Sequence, residues 1–338
     1  MPKTAQLTSE RIQDALYGFT RSQILFAALD IDVFTHIAQG EETLDALTEA
    51  LDVDRRGLRI LLDGLVGIGF LQKKNHTGLH YELPEDVARY LVRNSEEYMG
   101  GMVSHCKRLY ENWSQLTDAV RTGQPAGGAH GLAALEAFFS ELVKGLYVSN
   151  YPTAKKLAKV LEMGKSLKDQ HILDVAGGSG VWSIALLETD KSSQATLLDF
   201  PTVISVAREY VDHHGLTDRY HFWPEDLEET EFPDATFDMV ILANICHALG
   251  PVATQRLLQS MGKTLKPGGR VVIVDFVPDD ERAKAGWPLI FGVNMLISTP
   301  EGDVFTQAEY ERWMREAGFT RFERKDVENE VTALIGIK

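Results

Sequence analysis

HILDVAGGSGVW, His171 to Trp182, is the stretch on which the fold turns. Ile172-Leu173-Asp174-Val175 is apolar but for Asp174, and Gly177, Gly178 and Gly180 follow it directly. Glycines in that place can mark a bare turn between a strand and a helix. They can also let backbone amides close on a ligand at the positive end of the next helix. The spacing is not GxGxxG, and Asp174 stands three positions before the first glycine, where it can accept hydrogen bonds from a cationic or amine-bearing ligand.

Downstream, apolar runs at Ile172 to Val175, Ala195 to Leu198, Tyr220 to Trp223, Met239 to Ala243 and Val271 to Phe276 alternate with helical stretches. These are Val181 to Thr189, Val203 to His214 and Val252 to Lys263. Such alternation predicts an α/β fold, a doubly wound parallel sheet with helices on both faces. Ligands bind such a sheet beyond the carboxyl ends of its strands, so the informative residues follow each run. Asp199 in LLDFP, with Phe200 after it, is placed for ribose hydroxyls, although a strand-end carboxylate also serves a turn. Asp226 in WPEDLEE lies in reach of an adenine amine, or belongs to a solvated acidic turn. Asn244 and His247 follow the run Met239 to Ala243, and imidazole accepts a proton near neutral pH.

Upstream the pattern is helical. Ile12, Leu16, Phe19, Ile24, Leu25, Ala28, Leu29, Val33 and Phe34 recur at spacings of three and four, one or two amphipathic helices with a wide apolar face. Residues 44–71 give two short helices, the second capped by Asp54, and LQKKNHTGLHYEL a hairpin turning at Gly78. Helix, helix, helix, hairpin is the winged-helix order. Its third helix, Arg55 to Val66, has three arginines and is otherwise almost wholly apolar, which favours packing or dimerisation over DNA. Helices around WSQLTDAVRTGQP and residues 134–161, separated by the loop GQPAGGAHG, form a connecting layer. The expected division is 1–95, 96–165 and 166–338.

With 338 residues and a net charge of −15, the chain suits small neutral or cationic ligands and disfavours nucleic acid. No run is long and apolar enough to span a membrane, and the start lacks a signal peptide's centre, so the expectation is a cytoplasmic protein. Cys106 and Cys246 support neither a disulfide framework nor a metal site.

DVAGGSG, LLDFP, PEDL, FDMVILANICHAL, LKPGGRVVIVDFV and TPEGDVFTQAEYERWMREAGF together resemble the successive motifs of class I S-adenosylmethionine (SAM)-dependent methyltransferases. More narrowly they resemble the caffeate, acetylserotonin and hydroxyneurosporene type of small-molecule O-methyltransferase. The match runs nearly end to end. The resemblance implies a Rossmann-like sheet with an N-terminal winged-helix dimerisation domain, hence a homodimer. It implies that Asp174, Gly177 and Gly180 line the methionine end of SAM, that Asp199 holds the ribose, and that Gly178 and Phe200 also bind the cofactor. Asp226 and Leu227 then flank the adenine, Asn244 is a further cofactor-binding residue, and His247 is the catalytic base.

The chain departs from the plant pattern at two carboxylates: it reads His247-Ala248-Leu249 for His-Asp-Trp, and Val304 for the glutamate before Thr. Asp303 is the expected substitute, although next to Gly302 it also suits a loop. Met102, His105, Trp113, Tyr147, Phe291, Asn294 and Met295 are the candidate acceptor-binding residues, though aromatic and Met side chains at helical spacing also build cores. The expected activity is methyl transfer to a hydroxyl of an aromatic, polyketide-like or pigment-precursor metabolite. C- or N-methylation, or a non-methylating reaction of SAM, stands as the alternative, and a ligand-sensing DNA-binding protein as the outlier.

Overall fold

A computed structural model describes residues 8–74, 79–125 and 132–338. Gly78 and most of the loop at 126–131 lie outside the described residues. The chain folds as two compact units, Met1–Lys107 and Arg108–Lys338. Helices of the expected connecting layer fall on both sides of that division.

In the first unit, α1 (Glu10–Asp30), α2 (Val33–Ala38), α3 (Leu44–Leu51) and α4 (Arg55–Gly67) precede a short hairpin, β1 (Gln72–Lys73) and β2 (Tyr81–Glu82), and then α5 (Glu85–Leu91). Thr43 caps α3 and Asp54 caps α4, the latter accepting from Gly57 N at 2.7 Å. Ala28, Leu29, Phe34, Leu44, Leu47, Leu58, Leu62, Leu65 and Leu71 make the core, each buried leucine contributing about 1.5–3 kcal/mol.

The second unit begins within α6 (Gly101–Trp113) and continues through α7 (Leu116–Thr122) and α8 (Leu132–Val160). Then β3 (His171–Val175), α9 (Val181–Thr189), β4 (Gln194–Asp199), α10 (Pro201–His213), β5 (Tyr220–Pro224), β6 (Phe237–Ala243) and α11 (Cys246–Thr264) alternate. β7 (Leu265–Phe276), α12 (Trp287–Ser298), α13 (Gln307–Glu316), β8 (Arg321–Glu328) and β9 (Val331–Ile337) complete it. The sheet order is β5-β4-β3-β6-β7-β9-β8. Alternate strand residues feed two cores. Ile172, Leu197, Ile241 and Val272 pack under α8, α9 and α10, and Leu173, Leu198, Val240 and Ile273 under α11 and α13.

The parallel sheet expected from the five apolar runs is formed by β3 to β7, and one edge is extended by two further strands, β9 antiparallel to β7 and β8 antiparallel to β9. The pairing of β8 with β9 has a local reason. Asn329 and Glu330 both take positive φ, 49° and 61°, making a two-residue turn, and strands joined so tightly must return antiparallel.

Candidate active site

Order reverses at β3, which pairs with β4 on one side and β6 on the other. At such a switch point the chain leaves adjacent strands in opposite directions and opens a crevice at their carboxyl ends. The glycine loop lies there. Gly180 precedes α9 at φ 76°, and a Cβ on it would come within 2.6 Å of the Tyr220 hydroxyl, so this turn admits no side chain. A Cβ on Gly177 would stand 2.7 Å from the Asp174 carboxyl carbon, so the backbone passes directly over that acid.

Asp174 is fully buried. Its Oδ2 accepts from the backbone N and the hydroxyl of Ser183, and its Oδ1 has no partner among the described residues. Burial pushes its pKa up to about 6 against the opposing Ser183 hydrogen bonds. A buried, unpaired carboxylate oxygen is costly by itself and fits an ammonium group. Asp199 takes Gly178 N on Oδ2 and Phe200 N on Oδ1, each at 2.8 Å, and burial again raises it to about 6. Phe200 opens α10, its ring stacked on Phe139 at 6.4 Å. Asp226 is folded into a turn, accepting from Glu228 N at 3.0 Å, while Leu227 is partly buried and packs against the core under α11 and α13. Asn244 ends β6 in the left-handed region at φ 57°, its N bonded to Val274 O.

His247 lies in the first turn of α11, which breaks at Gly250-Pro251. Its Nδ1 is 2.7 Å from Asp275 Oδ1, with 7% and 2% of the two residues exposed. Asp275 also accepts from Phe276 N at 2.8 Å and the Tyr310 hydroxyl at 2.9 Å. The expectation for Asp303 is therefore corrected. Its backbone N bonds His247 O at 3.0 Å, but its half-exposed carboxylate turns to Val304 N and Arg282. Gly302 explains that geometry, since a Cβ there would meet His247 O at 2.5 Å and the loop runs backbone to backbone against His247. Asp275 went unread in the sequence although it had a signal, a lone acid closing the apolar run Val271 to Val274 on the strand next to the histidine.

Around His247 the side chains are aromatic. Phe291 stands edge-on to the imidazole at 4.8 Å, and Phe276 and Trp287 lie 4.7 and 6.1 Å from Phe291. One turn along α12, Asn294 Oδ1 accepts from Trp113 Nε1 at 3.2 Å, and Met295 is buried. Tyr147 is engaged elsewhere, its hydroxyl bonded to His214 Nε2 and its ring stacked on Tyr210 at 3.9 Å. Met102 and His105 belong to the first unit and are not among the residues the second unit brings together.

The family profile for the O-methyltransferase domain matches residues 113–320, and that for the O-methyltransferase dimerisation domain residues 13–94. The chain belongs to the O-methyltransferase family. It is a SAM-dependent methyltransferase, as the orphaned Asp174 oxygen beneath the glycine loop fits. Among curated relatives it is 29% identical to the tetracenomycin polyketide synthesis 8-O-methyl transferase TcmO of Streptomyces glaucescens, over 96% of this chain and 94% of that one. It is 28% identical to acetylserotonin O-methyltransferase of Mus musculus, over 92% and 83%. Human N-acetylserotonin methyltransferase, solved in complex with SAM, shares the fold at a TM-score of 0.85, with 24% identity, 100% of this chain and 99% of that one. Among the described residues, no helix of this O-methyltransferase is long and apolar enough to cross a membrane.

Proposed function

We propose that this O-methyltransferase acts as a homodimer on a hydroxyl of a flat aromatic metabolite, polyketide-like or a pigment precursor, with His247 as general base. The observation that carries the reading is the buried His247–Asp275 pair at the carboxyl ends of neighbouring strands. With Nδ1 donating to Asp275, a neutral imidazole keeps the Nε2 lone pair for the acceptor's proton.

Bound SAM supplies a methyl group on a sulfonium, which leaves alignment and proton removal to the protein. In this reading Asp174 Oδ1 takes the ammonium, and the amides of Gly177, Gly178 and Gly180 approach the methionine end. Asp199 and Phe200 serve the ribose, Asp226 and Leu227 the adenine, and Asn244 borders the site. Phe276, Trp287 and Phe291 favour a planar ring beside the base, where Trp113, Asn294 and Met295 complete the wall. The relative named for tetracenomycin polyketide synthesis points the same way.

Calorimetric titration with SAM and with S-adenosylhomocysteine comes first, and micromolar binding of both is expected. Absence of binding would reduce the glycine loop to a turn. With a hydroxynaphthoate as acceptor, His247→Ala is expected to lower turnover about 10²-fold at unchanged SAM affinity. Full turnover in that variant would leave positioning alone as the source of rate.

A further inference from the structure

Tyr310 is fully buried among aromatic rings, 5.7 Å from both Phe305 and Trp313. A phenylalanine would fill that space without a polar atom to satisfy. Burying a hydroxyl is unfavourable unless it is hydrogen-bonded, and this one reaches across to Asp275 Oδ2 at 2.9 Å. We propose that Tyr310 is a positioning residue: its hydroxyl fixes the Asp275 carboxylate and thereby holds the His247 imidazole in the Nδ1-protonated tautomer. The inference rests on His247 being the base, as argued above.

Both carboxylate oxygens are committed. Oδ1 receives His247 Nδ1 and Phe276 N, and Oδ2 receives the phenol, so the carboxylate cannot turn about its Cβ–Cγ bond without breaking a bond at one end. Without the phenol, Oδ2 is a buried charge-bearing oxygen lacking its donor. The carboxylate can then rotate to share its remaining donors, and the geometry that selects one imidazole tautomer loosens. Burial, with the Asp275 charge beside it, holds the phenol protonated well above its ordinary range, so it remains a donor.

Other groups around the pair do not replace it. The Cys246 thiol is buried and kept protonated by that burial. From α12, Phe291 offers only a ring. On the following loop Asp303 meets His247 through backbone alone, its carboxylate paired with Arg282, which also faces Glu309.

The test is long-range ¹H–¹⁵N spectroscopy of histidine side chains in the ¹⁵N-labelled full-length protein, with His247 identified by the signals that His247→Asn removes. In Tyr310→Phe the ratio of Nδ1–H to Nε2–H tautomer at His247 is expected to fall about fivefold, the effect of losing one hydrogen bond. The Nδ1–H signal should move, and calorimetric SAM affinity should stay within about twofold of wild type. An unchanged tautomer ratio and signal would mean that Tyr310 only fills space, whatever happens to the melting temperature. A second measurement needs no variant. In the wild type, a slowly exchanging Tyr310 hydroxyl proton should show a cross-peak to the His247 Nδ1–H, and its absence overturns the proposal. Failure of the base itself is read separately, as turnover that survives His247→Ala.

Discussion

Asp174 and Asp199 are both held near 6 by burial, well above an ordinary carboxylate, and the sign of the consequence is fixed by that direction. A carboxyl whose folded-state pKa is raised favours folding in its protonated form. Its contribution to the stability of the free protein is therefore present below the ordinary carboxylate range and is lost as pH rises through about 6. A ligand bearing an ammonium opposite Asp174 acts the other way, because it favours the ionised carboxylate. SAM affinity should accordingly tighten as pH rises, about tenfold between pH 5 and pH 7.5, and calorimetry across that range reads it. Asp174→Asn should flatten the profile; a flat profile in the wild type would remove Asp174 from the ammonium. Asp199→Ala, by comparison, should weaken SAM binding by about 1–3 kcal/mol through unpaired donors. At this scale the sequence was partly legible. Asp174 stands inside one apolar run and Asp199 ends another, and both could be read one strand at a time. Asp275 is a partner only because β6 and β7 are neighbours, Ala243 opposite Val274, and adjacency of strands is not written in either strand alone.

Among the elements, the five parallel strands and the helices between them were visible as runs separated by breakers. The β8–β9 hairpin was not, because its turn is Asn-Glu without a glycine and β8, RFERKDVE, is mostly charged. A strand at a sheet edge with one solvated face carries little apolar signal. The break in α11 has a clearer sequence sign, Gly250-Pro251, and a definite physical demand. Gly250 sits at φ 78°, ψ 172°, a region open to glycine and hardly to other residues, and a Cβ on it would meet Glu301 at 2.7 Å. Gly250→Ala should cost about 1–3 kcal/mol of stability, measured by denaturant unfolding. Because the break lies three residues from His247 and the 301–303 loop packs on it, turnover should fall while SAM affinity, which the proposed reading assigns to residues of β3 and β4, holds. Equal losses in turnover and affinity would show that the kink supports the whole crevice and not the base in particular.

For the whole molecule, the least explained surface is on the first unit. Ile12, Leu16 and Phe19 are 60%, 65% and 50% exposed and fall at i, i+4 and i+7, one face of α1, with Tyr17 also exposed at 66%. A contiguous apolar face on a helix within the matched dimerisation domain calls for a second copy, each side chain adding about 1.5–3 kcal/mol if fully buried there. Light scattering should therefore give about twice the 37.7 kDa of one chain. Leu16→Glu should shift the protein to monomer, by placing a charge where an apolar contact is needed. The net charge of −15 on each chain opposes association, so the dimer should weaken at low ionic strength, where the screening length reaches about 30 Å at 0.01 M, and tighten toward 0.15 M, where it is about 8 Å. A wild type that stays monomeric at both salt concentrations would mean that the α1 face serves another partner. A dimer indifferent to Leu16→Glu would move the interface to a different surface of the chain.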